Sequence, residues 1–100
     1  MTKVVFTKPS KNNLVEIAKY IGKDNKKVAR TYTNKITNKV KSLLETFPQS
    51  CPMHNKQLSI RKYIHEDYNV YYFYDKKSDT AFILHILHSS MMMNQTLSEI

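Results

Sequence analysis

The sequence predicts an α+β fold class, in which an N-terminal strand and a helical hairpin pack on a small, mostly antiparallel sheet. Apolar residues recur at helical spacing between residues 11 and 47, and from residue 60 onward they alternate at strand spacing. Short polar segments of hairpin length separate the strand-like runs. At 100 residues the chain can enclose one modest core, so we expect a single domain over residues 1–100. The predicted element order is β-α-α-β-β-β, with a short C-terminal helix after it.

The first predicted elements are a short strand and an amphipathic helix. Lys3 to Phe6, with the sequence KVVF, form the strand, and Ser10 is the predicted N-cap of a helix over about residues 11–21. The apolar stripe of this helix recurs at i, i+3, i+4 and i+7: Leu14, Ile17, Ala18 and Ile21. Gly22, the only glycine in the chain, is expected to end the helix in a left-handed C-cap conformation.

A second helix is predicted from a cap at Asp24-Asn25 to Pro48. Its apolar residues keep helical spacing: Val28, Tyr32, Ile36, Val40, Leu43, Leu44 and Phe47. Because the connection between the two helices is short, they must lie antiparallel as a helical hairpin. The other face of the second helix carries six cations against Glu45, and we predict that it binds a target protein or a nucleic acid. The residues of this basic face are Lys26, Lys27, Arg30, Lys35, Lys39 and Lys41.

After a predicted loop at residues 48–59, the chain changes to alternating apolar and polar residues. Three strands are expected, at residues 60–65, 68–75 and 80–89. Successive side chains of a strand point to opposite faces, so Ala81 and Ile83 should share a face with His85, opposite Ile86. The middle strand is rich in tyrosine, and we expect most of its aromatic residues to pack in the core. Stacking on RNA bases is the alternative for them.

The residues after the last strand predict a short terminal helix. Ser90 is its predicted cap, and Met93, Leu97 and Ile100 recur along one stripe. An isolated helix of about ten residues is marginal in water. We therefore expect this segment to dock on an apolar surface of the free protein.

Charge is distributed unevenly along the chain. The net charge is +8, but residues 1–62 contain fourteen Lys or Arg against three Asp or Glu, whereas residues 63–100 contain two against five. Such an asymmetry favours a polyanionic or acidic partner. The alternative for any single lysine is a solvated surface that keeps a small protein soluble.

Cysteine and hydropathy bear on the compartment. Cys51 is the only cysteine, so an internal disulfide and a multi-cysteine zinc site are both excluded. No apolar run approaches the roughly 18 residues of a membrane span, and none resembles a secretory signal. We expect a cytoplasmic protein without a membrane partner.

The known catalytic motifs are missing from the sequence. One glycine cannot build a phosphate-binding loop, and no CxxC, HExxH or GxSxG occurs. His85 and His88 are separated by an odd number of residues, so they should point to opposite faces of a strand and form no joint metal site. We expect no metal and no cofactor. An enzyme with these residues would be a metal-free ribonuclease, in which a base takes the 2′-hydroxyl proton and an arginine neutralises the phosphate.

Four segments in this order resemble the RelE/ParE superfamily of bacterial type II toxin–antitoxin toxins: SKNNLVEIAKYIGKDNKKVA, LLETFPQS, IRKYIHEDYNVYYFYD and FILHILH. The resemblance runs from Val4 to His88. It implies a small sheet against a helical hairpin, a cognate antitoxin with an acidic amphipathic segment, and growth arrest by the free toxin. RelE-like members cleave mRNA on the ribosome, whereas ParE-like members inhibit DNA gyrase.

The resemblance also implies site residues. Arg61 matches the arginine that opens the second strand, Tyr68 and Tyr72 match aromatic positions of the third, and His88 matches the histidine that ends the fourth. If the protein is a ribonuclease, Arg61, His88 and Tyr68 are its expected catalytic residues. Many relatives have HxRR at the end of the fourth strand, and this chain has His88 followed by SSM instead.

The turn YIGKDN of the helical hairpin is more similar to the ParE branch. The favoured interpretation is therefore a ParE-like toxin that acts on DNA gyrase. A ribosome-dependent mRNA endonuclease is the second interpretation, and a non-toxic basic binding module on the same fold is the third.

Overall fold

The structure is a computed structural model and describes residues 1–91. Its elements are β1 (Lys3–Phe6), α1 (Lys8–Ile21), α2 (Lys26–Thr46), β2 (Met53–Asn55), β3 (Ile60–His65), β4 (Tyr68–Asp75) and β5 (Thr80–His88). The α+β class and the order of the predicted elements are confirmed. The predicted C-terminal helix, with Met93, Leu97 and Ile100, lies outside the described residues.

The strands form one five-stranded sheet in the order β1-β5-β4-β3-β2. Neighbouring strands are antiparallel except for β1, which pairs in parallel with β5. The prediction of a continuous loop at residues 48–59 was wrong, because β2 adds a short edge strand to β3 with an irregular register. Three residues next to a proline carry too little periodicity to be recognised as a strand.

The helix ends differ in two places from the prediction. Thr7, not Ser10, is the N-cap of α1, and its hydroxyl accepts the backbone N–H of Ser10 at 3.4 Å. Gly22 has a right-handed backbone (φ −76°) rather than a left-handed one, and its N–H donates to the Ala18 carbonyl at 2.7 Å. A Cβ at Gly22 would lie 2.7 Å from that carbonyl oxygen, so close approach is what requires a glycine here. Asn25 caps α2 as expected.

The helices cover one face of the sheet, and the main core lies between the helices and the sheet. Tyr68, Val70 and Tyr72 of β4 point into this core, so the prediction that most of the tyrosines pack is confirmed. Tyr72 is fully buried, and its hydroxyl donates to the Pro48 carbonyl at 2.9 Å. The α2 side of the core consists of Ile36, Val40 and Leu44.

A bulge in β5 changes which of its residues face the helices. Tyr72 pairs with Ile83 and Tyr71 with His85, so Leu84 is an extra residue in the strand. Ala81, Ile83 and Ile86 therefore all belong to the core under the helices, whereas Leu84 packs in a second cluster with Tyr71. The prediction that side chains of β5 alternate strictly, which placed Ile83 and Ile86 on opposite faces, was wrong because the strand contains an inserted residue.

Helix α1 completes the edge of β5 that β1 leaves open. β1 ends opposite Ile83, and beyond that point Asn13 of α1 accepts the Ile86 N–H through Oδ1 at 3.0 Å. The same oxygen lies 3.3 Å from Nδ1 of His85, which must carry a proton to donate to it. Burial lowers the pKa of His85. One side chain thus accepts from a strand amide and from one nitrogen of a buried imidazole, whose Nε2 has no partner within residues 1–91.

Replacing Asn13 with alanine should destabilise the protein by about 1–3 kcal/mol, because the Ile86 amide and the His85 ring would lose their acceptor. For a domain of this size, that corresponds to a fall in melting temperature of roughly 4–8 °C per kcal/mol. Asn12→Ala is the matched control, since Asn12 is exposed on the same helix. Equal melting temperatures for the two variants would contradict the role assigned to Asn13.

Candidate functional site

Two of the three predicted catalytic residues meet in a cleft at one end of the sheet. The cleft has a volume of about 600 Å³ and lies between the end of α1, the middle of α2, the β3–β4 turn and the end of β5. We call it the tyrosine cleft. Its principal residues are Tyr20, Tyr32, Glu66, Asp67, Tyr68 and His88.

The imidazole ring of His88 contacts the ring of Tyr68 edge to face in this cleft. The two rings are 5.5 Å apart between centroids and perpendicular to each other. Nδ1 of His88 accepts the Ser90 N–H at 3.2 Å and lies 2.8 Å from the Ser90 hydroxyl oxygen. The neutral ring therefore carries its proton on Nε2. The imidazole has a local hydrogen-bonding partner and remains exposed to solvent.

Two tyrosines of the cleft, Tyr32 and Tyr68, are held in their protonated form. Burial and then a hydrogen bond to Glu66 raise the pKa of Tyr32 to about 12. Its hydroxyl donates to Glu66 Oε2 at 3.1 Å. Burial, followed by the nearby Tyr20 and Asp67, raises the pKa of Tyr68 as well. Neither phenol is suited to act as a general base near neutral pH.

Arg61 lies outside the tyrosine cleft. It pairs with Tyr72 across the sheet, whereas His88 pairs with Tyr68, four residues along β4, or about 13 Å at the rise of a strand. Its Nη1 donates to the carbonyls of Cys51 at 2.6 Å and Gln49 at 3.1 Å. Arg61 therefore fastens the segment before β2, and the structure does not bring it together with His88.

The six cations of the predicted basic face are all exposed on α2. Within residues 1–91 none of them forms a salt bridge. They do not share one narrow face, since at about 100° per residue Lys35 lies roughly half a turn around the helix from Lys26. The predicted face is instead a wide solvent-exposed arc.

A second cleft, the hairpin groove, runs between α1 and α2 with a volume of about 530 Å³. Val15, Ala18 and Ala29 form its floor. Four cations surround it: Lys19 from α1, Lys23 from the connection between the helices, and Lys26 and Arg30 from α2. The sequence prediction missed Lys19 and Lys23, because it considered only the cations of the second helix.

The sequence prediction also missed the carboxylates of the tyrosine cleft. Glu66 and Asp67 lie in one of the short polar segments that separate the predicted strands, Tyr32 is one of the predicted apolar positions of α2, and Tyr20 lies outside the predicted stripe of α1. No pattern in the sequence links them, because they come from three separate elements.

Across residues 1–91 no three His, Cys, Asp or Glu side chains group as a metal site would need. In the same range no helix has the length and hydropathy to cross a membrane.

Removing the Arg61 guanidinium should cost about 2 kcal/mol of unfolding free energy, because two carbonyls would lose a charged donor. Arg61→Met should therefore melt roughly 10 °C below the parent protein. Lys76→Met is the control, since Lys76 borders the same surface pocket and is exposed. Thermal unfolding followed by circular dichroism would show the difference, and unchanged melting of Arg61→Met would contradict the structural role.

Comparison with known proteins identifies the family. A family model for the ParE toxin of the parDE type II toxin–antitoxin system matches residues 4–93. No curated protein sequence matches the chain. A chain of the chromosomal ParDE system from P. aeruginosa superimposes with a TM-score of 0.73 at 18% identity, over 88% of this chain and 96% of that one.

A chain of the RelBE2 toxin–antitoxin complex from Mycobacterium tuberculosis is also similar. It superimposes with a TM-score of 0.66 at 17% identity, over 87% of this chain and 96% of that one. At these identities the two structures establish the fold, and the match of the family model covers nearly the whole sequence. The chain therefore belongs to the ParE toxin family of type II toxin–antitoxin systems.

Proposed function

We propose that this toxin arrests growth by binding and inhibiting DNA gyrase, not by cleaving RNA. The observation that carries the proposal is the separation of the ribonuclease residues. Arg61 is engaged with backbone carbonyls, while His88 lies at another end of the sheet beside Glu66 and Asp67. The proposal rests on the family match together with this separation.

The electrostatics of the tyrosine cleft disfavour an RNA backbone. Ribonuclease chemistry requires cations around the scissile phosphate as negative charge develops. Here the charged side chains beside His88 are carboxylates. A phosphate 4 Å from a carboxylate is repelled by roughly 1–4 kcal/mol, depending on the local dielectric. The cleft thus opposes the ligand that a ribonuclease must hold.

The exposed cations of α2 support a binding function instead. Cations that are free of internal carboxylate partners remain available for a partner surface, and a positive field accelerates association with acidic proteins. Around the helix axis, Lys35 lies about half a turn from Lys26 at the rim of the hairpin groove, and Lys39 lies close to Lys35. We assign this part of the basic face to the target.

The alternative is a ribosome-dependent mRNA endonuclease. It is favoured by one observation, the contact between the rings of Tyr68 and His88 in an open cleft. In that reading His88 would be the acid or base, and the ribosome would have to provide the missing cations.

Two assays on one set of variants should separate these functions. We expect the purified toxin to inhibit supercoiling by gyrase, and Lys35→Gln/Lys39→Gln to weaken inhibition at least tenfold because two contacts of about 0.7 kcal/mol each are lost. His88→Ala should inhibit as well as the parent. Lys76→Gln/Lys77→Gln, with the same change in net charge, is the control.

Cleavage of mRNA in a translation assay is the outcome that would overturn the gyrase proposal. The endonuclease interpretation requires that His88→Ala abolish this cleavage. It also requires the supercoiling activity of gyrase to remain unaffected by the parent toxin.

We also propose that the cognate antitoxin places an acidic amphipathic segment in the hairpin groove. The groove combines an apolar floor, on which Val15 is half exposed, with a rim of four cations. An amphipathic helix would bury its apolar side on the floor while its carboxylates meet the rim. The similarity to chains of ParDE and RelBE2 systems supports a partner of this class.

Association with the antitoxin should slow as salt concentration rises, because opposite charges steer the encounter. Stopped-flow measurements should give a smaller salt dependence for Lys19→Gln/Lys23→Gln than for the parent protein. The Lys76→Gln/Lys77→Gln variant has the same net charge and should keep most of the parental dependence. Identical slopes for the two variants would show that net charge, and not the groove, governs association.

A further inference from the structure

We propose that the tyrosine cleft binds a guanidinium group, presented by an arginine side chain of a partner protein. This site is separate from the basic arc of α2 and from the hairpin groove. The proposal does not depend on gyrase being the target, because it concerns the chemistry of the cleft in the free protein.

The charge of the cleft favours a cationic ligand. Glu66 and Asp67 are adjacent carboxylates on a chain with a net charge of +8. Within residues 1–91 no Lys or Arg forms a salt bridge with either of them. The nearest basic atom to Glu66 is Nε2 of His65, at 4.0 Å from Oε1, which is beyond hydrogen-bonding distance. The carboxylates are therefore left for a cation from outside.

A buried atom beside the cleft is also unsatisfied. His65 is 7% exposed, and its Nε2 has no hydrogen-bond partner within the described part of the chain. It faces the same Glu66 carboxylate that lines the cleft. Buried polar atoms without partners are uncommon in native proteins and call for an explanation. A polar group bound at Glu66 would lie close to His65 Nε2 and could provide its missing hydrogen-bond partner.

The aromatic wall of the cleft also suits a cation. Three tyrosine rings line the cleft, and Tyr20 is 71% exposed. Tyr32 and Tyr68 are 6.0 Å apart between centroids and tilted by 57°, so they do not stack face to face. The ammonium of Lys23 lies 5.8 Å from the centroid of the Tyr20 ring. A cation already associates with one wall of the cleft, as the quadrupole of a phenol ring favours.

A planar cation suits both the carboxylates and the aromatic wall of the cleft. A guanidinium is planar, so its faces stack on aromatic rings while its edge donates to carboxylates. Tyr32 occupies Oε2 of Glu66 and leaves Oε1 to accept from a ligand. An ammonium is compact and strongly hydrated, and it cannot stack in this way. A phosphate would be repelled by both carboxylates.

The cleft is also held in place before a ligand arrives. The Ser89 N–H donates to the Asp67 carbonyl at 2.8 Å and ties the β3–β4 turn to the end of β5. The Tyr32 hydroxyl fixes the Glu66 side chain against α2. Because these groups need little reordering, less binding energy is spent on arranging the site.

The test is an NMR titration of the ¹⁵N-labelled full chain with two small probes. N-acetyl-arginine methylamide carries the guanidinium, and N-acetyl-citrulline methylamide has the same length and a planar but neutral urea. We expect saturable shifts of the Glu66, Asp67 and His88 amides with the arginine probe, at a dissociation constant of about 1–10 mM. The citrulline probe should bind at least tenfold more weakly. N-acetyl-lysine methylamide should fall between them.

Variants keep the test specific to the cleft. Glu66→Gln/Asp67→Asn removes both negative charges and should reduce affinity for the arginine probe at least tenfold. The cleft should keep its structure, since the glutamine oxygen can still accept from Tyr32. Glu16→Gln/Glu45→Gln removes two carboxylates elsewhere and should leave affinity unchanged. Tyr20→Leu alters an exposed ring, so it should preserve the fold and weaken binding at least threefold.

Equal binding of the arginine and citrulline probes would overturn the proposal, as would full affinity in the cleft variants. Equal binding of arginine and lysine probes would show a general cation site and reject the guanidinium assignment. None of these outcomes bears on gyrase inhibition or antitoxin binding, because neither partner is present in the titration.

Discussion

The pairing of β5 along both of its edges is the constraint on which the rest of the structure depends. On one edge β4 pairs with it throughout, and on the other β1 pairs only with its first half. A buried strand amide without a partner costs about 1–3 kcal/mol, so the open half of that edge must be closed by something else. Asn13 closes it from α1. Together with the packing of Leu14, Ile17 and Ile21 in the core, this contact positions α1, which forms one wall of both clefts.

The overall fold could be predicted because each element has a pattern of its own. The core stripe of α2 and the alternation of β4 depend on local spacing, which this sequence shows by itself. The details that failed depend on contacts between distant residues. Leu84 as an inserted residue follows from how β5 fits against β4, and Asn13 acquires its role from an amide 73 positions away. Such contacts leave no local trace in a sequence.

The candidate sites were harder to predict for the same reason. Tyr68 and His88 could be placed together because paired strands put them opposite each other. Arg61 was expected near them, but its position along β3 places it away from that end of the sheet. There its guanidinium donates hydrogen bonds to backbone carbonyls. Glu66 and Asp67 of the β3–β4 turn were not predicted as site residues, because turns are usually polar without being functional. Only the assembled fold shows that tyrosines from two helices surround it.

The parallel pairing of β1 with β5 also bears on how the protein is made. A ribosome releases the N-terminal part of a chain first, and domains fold as units. β1 and both helices therefore emerge before the strand that must lie between β1 and β4. The apolar stripe of α2 has no complete sheet to cover until β5 has been translated. The tyrosine cleft is incomplete in a nascent chain that lacks this strand, because His88 lies at the end of β5, whereas the hairpin groove is lined only by the helices and their connection. Of the two sites, only the tyrosine cleft must wait until synthesis has passed residue 88.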